Sequence, residues 1–437
     1  MASKVYFMND RSASAETSLV AKMITVFEAA ELDKLIKPYD VVAIKVHCGE
    51  YNNTAYLRPV YARTLADKVK SLGGRPFVCD TTTQTYNPNA SRSTALDLML
   101  TAERNGFNSA TLGCPFISAD GFLGTDDHRI DLPEGTILKE TYIAKAIALA
   151  DVLLVLSHFK GHGSGVFGGA IKNLGIGAQS KRGKYNVHQG FNSKTSVSKS
   201  AFYPHLCKGT DCEKVQDCME ACPYGLIEIK DHTIEWHAED CPGCNSCQKV
   251  MTCGVMEWPL DLGDLTAAAI ADGCLGAVKA VGRDKVGFVN MAIDVSPWCD
   301  CVQFSDRSIV PNLGVFASKD AVAIDKACVD MVTASAGVPG SKAHDMGVLG
   351  AGVDKFSAAA SRCGSSDQLQ IKNGTKNGLG NPEYELIEVP PGDPRKFAFH
   401  WDPRNVGLRM KHVFEKEPVY PAQKYKRDEE VDLELLR

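Results

Sequence analysis

The sequence predicts an α/β protein whose doubly wound, mostly parallel sheet is interrupted by a small cysteine-rich α+β module. Short apolar runs alternate with segments of helical periodicity, and each run ends in polar or reactive side chains, which predicts the sheet. Eight of the 16 cysteines fall between Cys207 and Cys253, which predicts the module. We expect the body in two parts, residues 1–200 and 261–389, with the module at 201–260.

The predicted strands of the body are Val41–His47, Pro76–Asp80 and Asp151–His158, whose continuous apolar runs suit strands buried on both faces. Apolar side chains at helical spacing predict helices over Pro59–Leu72 and Thr94–Arg104. Ligands of such sheets gather at the carboxyl ends of the strands. The candidate functional residues at those ends are His47, Cys48, Glu50, Asp80, His158, Lys160 and His162.

The module contains two sets of four cysteines, each spaced like the ligands of an iron–sulfur cluster. One set keeps the strict C-x2-C-x2-C spacing and draws its fourth ligand from a cysteine followed by proline. The other set has wider gaps, but a second 4Fe–4S cluster is still its best interpretation. The regular set is Cys222, Cys241, Cys244 and Cys247, and the wider set is Cys207, Cys212, Cys218 and Cys253.

Two alternating segments within Leu226–His237 predict a β-hairpin between the cysteine sets, as in a ferredoxin-like module. Zinc sites and disulfides are the alternatives for these cysteines. A triplet with two-residue gaps fits a cubane better than a tetrahedral ion. Disulfides need an oxidising compartment, and no export signal opens the chain, so we expect a cytoplasmic protein.

A glycine-rich segment follows the third predicted strand, and a helix is expected to start near Gly169. Backbone N–H groups at such a turn point towards an anion, and several basic side chains lie nearby. The segment matches neither of the common nucleotide-binding fingerprints, so it indicates an additional anionic ligand without identifying it. The alternative to an anion site is that the glycines permit tight turns and close packing while the lysines face solvent. The candidate ligand-binding residues are Gly168, Gly169, Lys172, Asn173, Lys181 and Arg182.

Cys299 and Cys301 are separated by one aspartate, Asp300. We expect that two thiols one residue apart do not close an easy disulfide with each other. They could present sulfur to a substrate, a metal or the cysteine-rich module, or they could be loop thiols without a role. His158, His162 and His188 are further candidates for metal binding or proton transfer.

Composition excludes several classes of function. The net charge of −5 and the pI near 6.1 argue against binding to nucleic acid, which requires a basic surface. No apolar run approaches the length of about 18 residues that a membrane helix needs. With 437 residues and 44% hydrophobic residues, the chain is long enough for about two or three compact units.

Residues 390–437 are predicted to form an extended arm. Prolines recur there and block long helices, while aromatic side chains such as Phe397, Trp401 and Tyr420 could anchor the arm to a surface. We expect the arm to wrap the body or to join subunits of a homo-oligomer. Disorder is the alternative.

Several strings resemble the DUF362 family of iron–sulfur proteins. They are Ile44-Lys-Val-His-Cys-Gly-Glu50, Asn53-Thr-Ala-Tyr-Leu-Arg-Pro59, Lys160-Gly-His162, Gly168-Gly-Ala-Ile-Lys-Asn-Leu-Gly175, Cys299-Asp-Cys301 and Val310-Pro-Asn-Leu-Gly314. The resemblance covers roughly residues 3–388. It implies an α/β body with an inserted ferredoxin-like module in a cytoplasmic protein of anaerobic metabolism, and it leaves the activity open.

Two functions follow as expectations. The first is electron transfer, in which two clusters pass single low-potential electrons to a redox partner protein or complex. The second is a reductase, in which the clusters supply electrons to a small anionic substrate or cofactor at the glycine-rich basic segment. The candidate catalytic residues are His47, Cys48, His158, Lys160, His162, Cys299 and Cys301. A sensing or structural subunit is a weaker third reading.

Overall fold

The computed structural model describes residues 2–84, 90–188, 201–241, 247, 250–257, 262–361, 364–393, 416 and 434. Residues Met1–Gly392 form one compact unit and Asp393–Arg437 a second. Nearly all of the predicted arm, and Cys244 of the regular cysteine set, lie outside the described residues. The division of the body from the module at 200/201 and 260/261 stays a prediction.

The body is built on one eight-stranded sheet. Its strands in chain order are β1 (Ser3–Asn9), β2 (Val41–Lys45), β3 (Arg75–Asp80), β4 (Phe116–Ser118), β5 (Val152–His158), β6 (Val286–Ala292), β7 (Gly314–Ser318) and β8 (Tyr384–Glu388).

The spatial order of the sheet is β8-β1-β7-β6-β5-β2-β3-β4. Five of the seven neighbouring pairs are parallel, and the two pairs that involve β7 are antiparallel. The predicted α/β fold with a mostly parallel sheet is therefore confirmed. The antiparallel β7 gives the sheet its mixed character, which the apolar runs alone did not indicate.

Helices cover both faces of the sheet, as a doubly wound fold requires. Gly287 of β6 lies against Leu32, which follows the first helix, whereas Asn290 of the same strand donates to Asp325 of a later helix. Residues three apart on a strand face opposite sides. The helices are Leu19–Ala29, Pro59–Ser71, Ala95–Arg104, Ser109–Leu112, Lys145–Ala148, Ala170–Gly175, Lys181–His188, Val215–Glu220, Leu262–Val281, Ala321–Ala334, Lys342–Asp345, Phe356–Ala359 and Gln368–Lys376.

Local sequence explains where these elements begin and end. Pro59 occupies the first turn of its helix, where its missing N–H costs nothing. Thr94 caps the next long helix in a capping box with Asp97. Both predicted helices therefore begin within one residue of the expected position, and the three predicted strands match β2, β3 and β5.

The cysteine-rich module is closed at its base. Ala201–Phe202 pairs with Met256–Glu257 as an antiparallel ladder, so the chain enters and leaves at the same place. The predicted hairpin is present as Ile227–Lys230 and Thr233–Trp236. A small apolar cluster that includes Cys218 packs inside the module.

Two further hairpins accompany the sheet. One pairs Asp127–Asp131 with Glu140–Ala144, and the other pairs Lys160–His162 with Val166–Gly168. The second hairpin leads directly into the glycine-rich segment. Among the described helices, none is both long and apolar enough to cross a bilayer.

Candidate functional site

The carboxyl ends of four neighbouring parallel strands form the edge on which the candidate site lies. β2 ends at Lys45, β3 at Asp80 and β5 at His158, and the chain leaves β6 into the loop that carries Cys299. Because these strands are adjacent and parallel, their ends and following loops meet at one edge of the sheet. The polar side chains there are buried, so their pairing decides what the site can do.

Two buried ion pairs occupy one side of this edge. Lys45 Nζ lies 2.9 Å from Asp80 Oδ1, and Arg92 Nε lies 3.1 Å from Glu50 Oε2. Burial opposes ionisation of Asp80, but Lys45 and Arg92 prevail and lower the pKa of its carboxyl. Asn173 Oδ1 accepts a further hydrogen bond from Lys45 at 3.0 Å. Asn173 is therefore part of this network and does not face an open ligand pocket.

A second group links β5 to the loop after β6. His158 Nδ1 lies 2.9 Å from Asp300 Oδ1, and its Nε2 lies 2.8 Å from the carbonyl oxygen of Ile293. Lys160 Nζ lies 2.9 Å from the other carboxylate oxygen of Asp300. Both ring nitrogens of His158 thus face protein oxygens, which leaves neither nitrogen available to a metal.

Cys299 is a buried thiol that lies beside an ammonium group. Lys172 Nζ lies 3.2 Å from its Sγ, and the backbone N–H of Cys301 points to the same sulfur at 3.4 Å. Burial raises the pKa of a thiol, but the hydrogen bond from the Cys301 thiol and the charges of Lys172 and Lys160 lower the pKa of Cys299 well below its usual range. The hydrogen bond to Cys299 and burial hold the pKa of Cys301 well above its usual range.

His162 completes this thiol cluster. One ligand atom each of His162, Cys299 and Cys301 lie within 4.8 Å of one another, a spacing that three ligands of a single ion can have. However, the Gly165 N–H donates to His162 Nδ1 at 2.8 Å, and a neutral ring then carries its proton on Nε2. The Lys172 ammonium also competes with a cation for Cys299. These two contacts favour a metal-free thiolate.

Two further strand-end candidates are the imidazole of His47 and the thiol of Cys48. Burial and nearby cations, led by Arg92, lower the pKa of His47 well below its usual range, and the Gly49 N–H donates to its Nδ1 at 3.0 Å. His47 is therefore neutral. Burial and the Asp80 carboxylate raise the pKa of Cys48 well above its usual range, so this thiol is a poor nucleophile.

The glycine-rich segment differs from the expected anion site. Its helix begins at Ala170, and the N–H groups of Ala170 and Ile171 donate to the two carboxylate oxygens of Asp325, each at 2.8 Å. The chain itself therefore supplies the anion that we expected from a ligand at Gly168 and Gly169. The helix is buried at this end, and Asp325 satisfies amides that would otherwise have no acceptor.

The basic side chains near that segment are also engaged within the protein. Lys181 donates to the carbonyl oxygens of Thr83 and Ser93, and Arg182 pairs with Asp127 and lies over the ring of Tyr142. Of the six candidate ligand-binding residues, only Lys172 contacts the thiol cluster.

In the module, the irregular cysteine set is linked by its influence on Cys218. Burial and the charges of Cys253, Cys212 and Cys207 together raise the pKa of Cys218 to about 11. Within the regular set, Cys222, Cys241 and Cys247 are half-buried, and Cys244 is not among the described residues.

Sequence reasoning missed three buried residues that organise the site, namely Lys45, Arg92 and Asp325. Lys45 lies inside an apolar strand, where a lone lysine is a signal of a buried partner. Arg92 and Asp325 stand in segments without a motif, so nothing in the local sequence distinguishes them.

Comparison with known proteins gives a family and one weak structural likeness. A family model described as "Domain of unknown function (DUF362)" matches residues 42–330. No curated protein matches the chain. Among solved structures, the lactate racemase apoprotein from Thermoanaerobacterium thermosaccharolyticum is similar with 14% identity and a TM-score of 0.32, over 67% of this chain and 51% of that one. This chain thus spans about half the length of that structure.

Proposed function

The chain belongs to the DUF362 family, and from its own residues we propose that it is an iron–sulfur electron-transfer protein. Its ferredoxin-like module passes single electrons through two 4Fe–4S clusters to a redox partner protein. Each cluster takes the four thiolates of one cysteine set.

The irregular cysteine set carries this proposal. The spacing of Cys207, Cys212 and Cys218 is wider than the usual ligand pattern, yet the charges of Cys207, Cys212 and Cys253 all act on Cys218. Thiols that lie together without pairing in disulfides are suited to a shared metal centre. A cubane with four cysteine ligands is the centre that the neighbouring regular set also favours.

Backbone contacts to sulfur add support. The Gly209 N–H lies 3.3 Å from Cys207 Sγ, and the Leu226 N–H lies 3.3 Å from Cys222 Sγ. Hydrogen bonds to cluster sulfurs raise the reduction potential of iron–sulfur centres. Cys253 is exposed, so the irregular set reaches the surface, where a redox partner can approach.

Iron analysis of the anaerobically purified full chain tests the proposal. We expect about eight irons per chain and a spectrum of reducible 4Fe–4S clusters. Cys218→Ser should lose about half of the iron, whereas Cys114→Ser, which changes a buried thiol of the body, should lose none. Stoichiometric zinc without iron, or equal iron in all three proteins, would refute the cluster assignment.

A reductase is the second candidate, and the thiol cluster of the body favours it. The ligand-binding edge of the α/β sheet carries a stabilised buried thiolate, two neutral imidazoles and paired cations. An electron carrier does not need these groups. The lysines are paired with Asp80, Asp300 or Cys299, so a preference for anionic substrates no longer follows from them. Cys301→Ser should then abolish substrate-dependent reoxidation of the reduced clusters while retaining their iron. An unchanged reoxidation rate would leave only electron transfer.

A further inference from the structure

We propose that Cys299 and Cys301 form a redox-active dithiol that reduces a low-molecular-mass disulfide and closes into a Cys299–Cys301 disulfide. The inference rests on the proposed reductase function only for the physiological source of electrons. The thiol reaction itself needs no cluster, so the reductase function and the thiol reaction can be refuted separately.

The backbone between the two cysteines is bent. The Val302 N–H donates to the carbonyl oxygen of Cys299 at 3.1 Å, which closes a four-residue turn with Asp300 and Cys301 at its centre. A disulfide needs Cα atoms about 4.4–6.8 Å apart, whereas an extended chain separates alternate residues by about 7 Å. In an extended chain the two cysteines would be too far apart for a disulfide. The turn brings them closer together.

The loop is fixed in this turn from both sides. Asn53 Nδ2 donates to the carbonyl oxygens of Val302 and Phe304 at 3.1 and 3.0 Å. Asp300, between the cysteines, is tied to His158 and Lys160. The sulfur atoms also lie within 4.8 Å of each other and of His162. Both thiols are thus positioned before any reaction occurs.

Charge and exposure give the two sulfurs different tasks. Cys299 is 2% exposed and faces the Lys172 ammonium, which stabilises a thiolate. Cys301 is partly exposed, and its thiol donates a hydrogen bond to Cys299. Cys299 is therefore the attacking thiolate, and Cys301, which keeps its proton, is the resolving thiol.

The reaction balances without another reactant. The Cys299 thiolate attacks the substrate disulfide and expels one substrate thiolate, which takes the proton of Cys301. The Cys301 sulfur then attacks Cys299 Sγ, so the intramolecular disulfide forms and the second substrate thiolate leaves, to be protonated by water. The protein dithiol is oxidised by two electrons, and the substrate disulfide is reduced to two thiols. An added dithiol, or two electrons and two protons, restores the protein.

Burial of Cys299 favours a small substrate. Cys299 and Asp300 are buried, and Cys301 beside them is partly exposed. A disulfide within a folded protein would have to insert its own backbone to reach the Cys299 sulfur. A low-molecular-mass disulfide needs to insert only one sulfur.

The test uses the full-length protein, reduced and then freed of reductant under anaerobic conditions. It is exposed to hydroxyethyl disulfide, and the peptide that contains residues 299–301 is followed by mass spectrometry. We expect that peptide to lose two hydrogens at least ten times faster than any other cysteine pair oxidises. Cys114→Ser is the matched control and should react like the wild-type protein.

Three variants separate the roles. Cys301→Ser should accumulate the mixed disulfide on Cys299, Cys299→Ser should form neither product, and Lys172→Gln should keep both thiols but react several-fold more slowly at neutral pH and recover as the pH rises. Recovery of the reaction rate of Lys172→Gln at higher pH would show that this variant is folded. Equal labelling of all cysteines, or no product in a wild-type protein with native circular dichroism, would overturn the proposal. A stoichiometric metal that Cys299→Ser and Cys301→Ser both lose, and that blocks the oxidation, would overturn it as well.

Discussion

The carboxylate of Asp325 lies 2.3 Å from the position that a Cβ atom would take at Gly169. Glycine is therefore required at residue 169 by the close approach of a side chain from a distant helix, because its φ of −142° is open to any residue. This contact replaces the ligand that a glycine-rich turn before a helix usually indicates. The N-terminus of the helix that begins at Ala170 therefore contributes to folding.

Gly169→Ala should lower the free energy of unfolding by roughly 1–3 kcal/mol, since the methyl group must displace Asp325 from the two amides that it caps. Denaturant unfolding measures the change. Gly168→Ala is the control, because a Cβ there meets its nearest neighbour, Lys172 Cδ, at 3.6 Å. Equal losses in the two variants would mean that Asp325 does not set the requirement.

The stability of the protein should fall as the pH rises from about 4 to about 6, in part through Asp325. Burial raises the pKa of its carboxyl to about 6, against about 3.9 in the unfolded chain. The folded state then binds more protons than the unfolded state in this window, so raising the pH favours unfolding. Asp325→Asn should flatten this part of the curve. An identical pH dependence in the variant would contradict the assignment.

Lys184 should act on stability in the opposite direction at higher pH. Burial lowers its pKa to about 7, whereas an unfolded lysine titrates near about 10.4. Between these values the unfolded state binds more protons, so stability should rise with pH. Unfolding titrations of the wild-type protein and Lys184→Met should diverge from pH 7 to pH 10. Parallel curves would show that Lys184 keeps its charge when folded.

Breaking the buried pair of Lys45 and Asp80 should be costly. Lys45→Met leaves the Asp80 carboxylate without its nearest cation and should lower the free energy of unfolding by about 3–5 kcal/mol. The double variant Lys45→Met/Asp80→Leu should be more stable than Lys45→Met alone, since no lone charge remains buried. Lys34→Met removes an exposed pair with Glu31 and should leave the unfolding midpoint unchanged. A double variant less stable than Lys45→Met would contradict the argument.

Local patterns in the sequence determined the class of fold. Apolar runs predicted β2, β3 and β5, and helical spacing of apolar residues predicted the helices that begin at Pro59 and Ala95. These signals are local because strand and helix periodicities repeat within a few residues. The alternation of apolar and polar residues within Leu226–His237 likewise predicted the hairpin of the module.

Only the tertiary structure decided which buried charges meet. Asp325 reaches amides 155 residues away, Lys45 reaches an asparagine 128 residues away, and His158 reaches an aspartate 142 residues away. No local pattern encodes such pairs, since a buried charge must be matched by whichever segment packs against it. The turn at Cys299 is the same case, because contacts from Asn53 and His158 hold its backbone bent. The sequence therefore supplied the reactive groups, and the fold decided that the Lys172 ammonium lies beside the Cys299 sulfur.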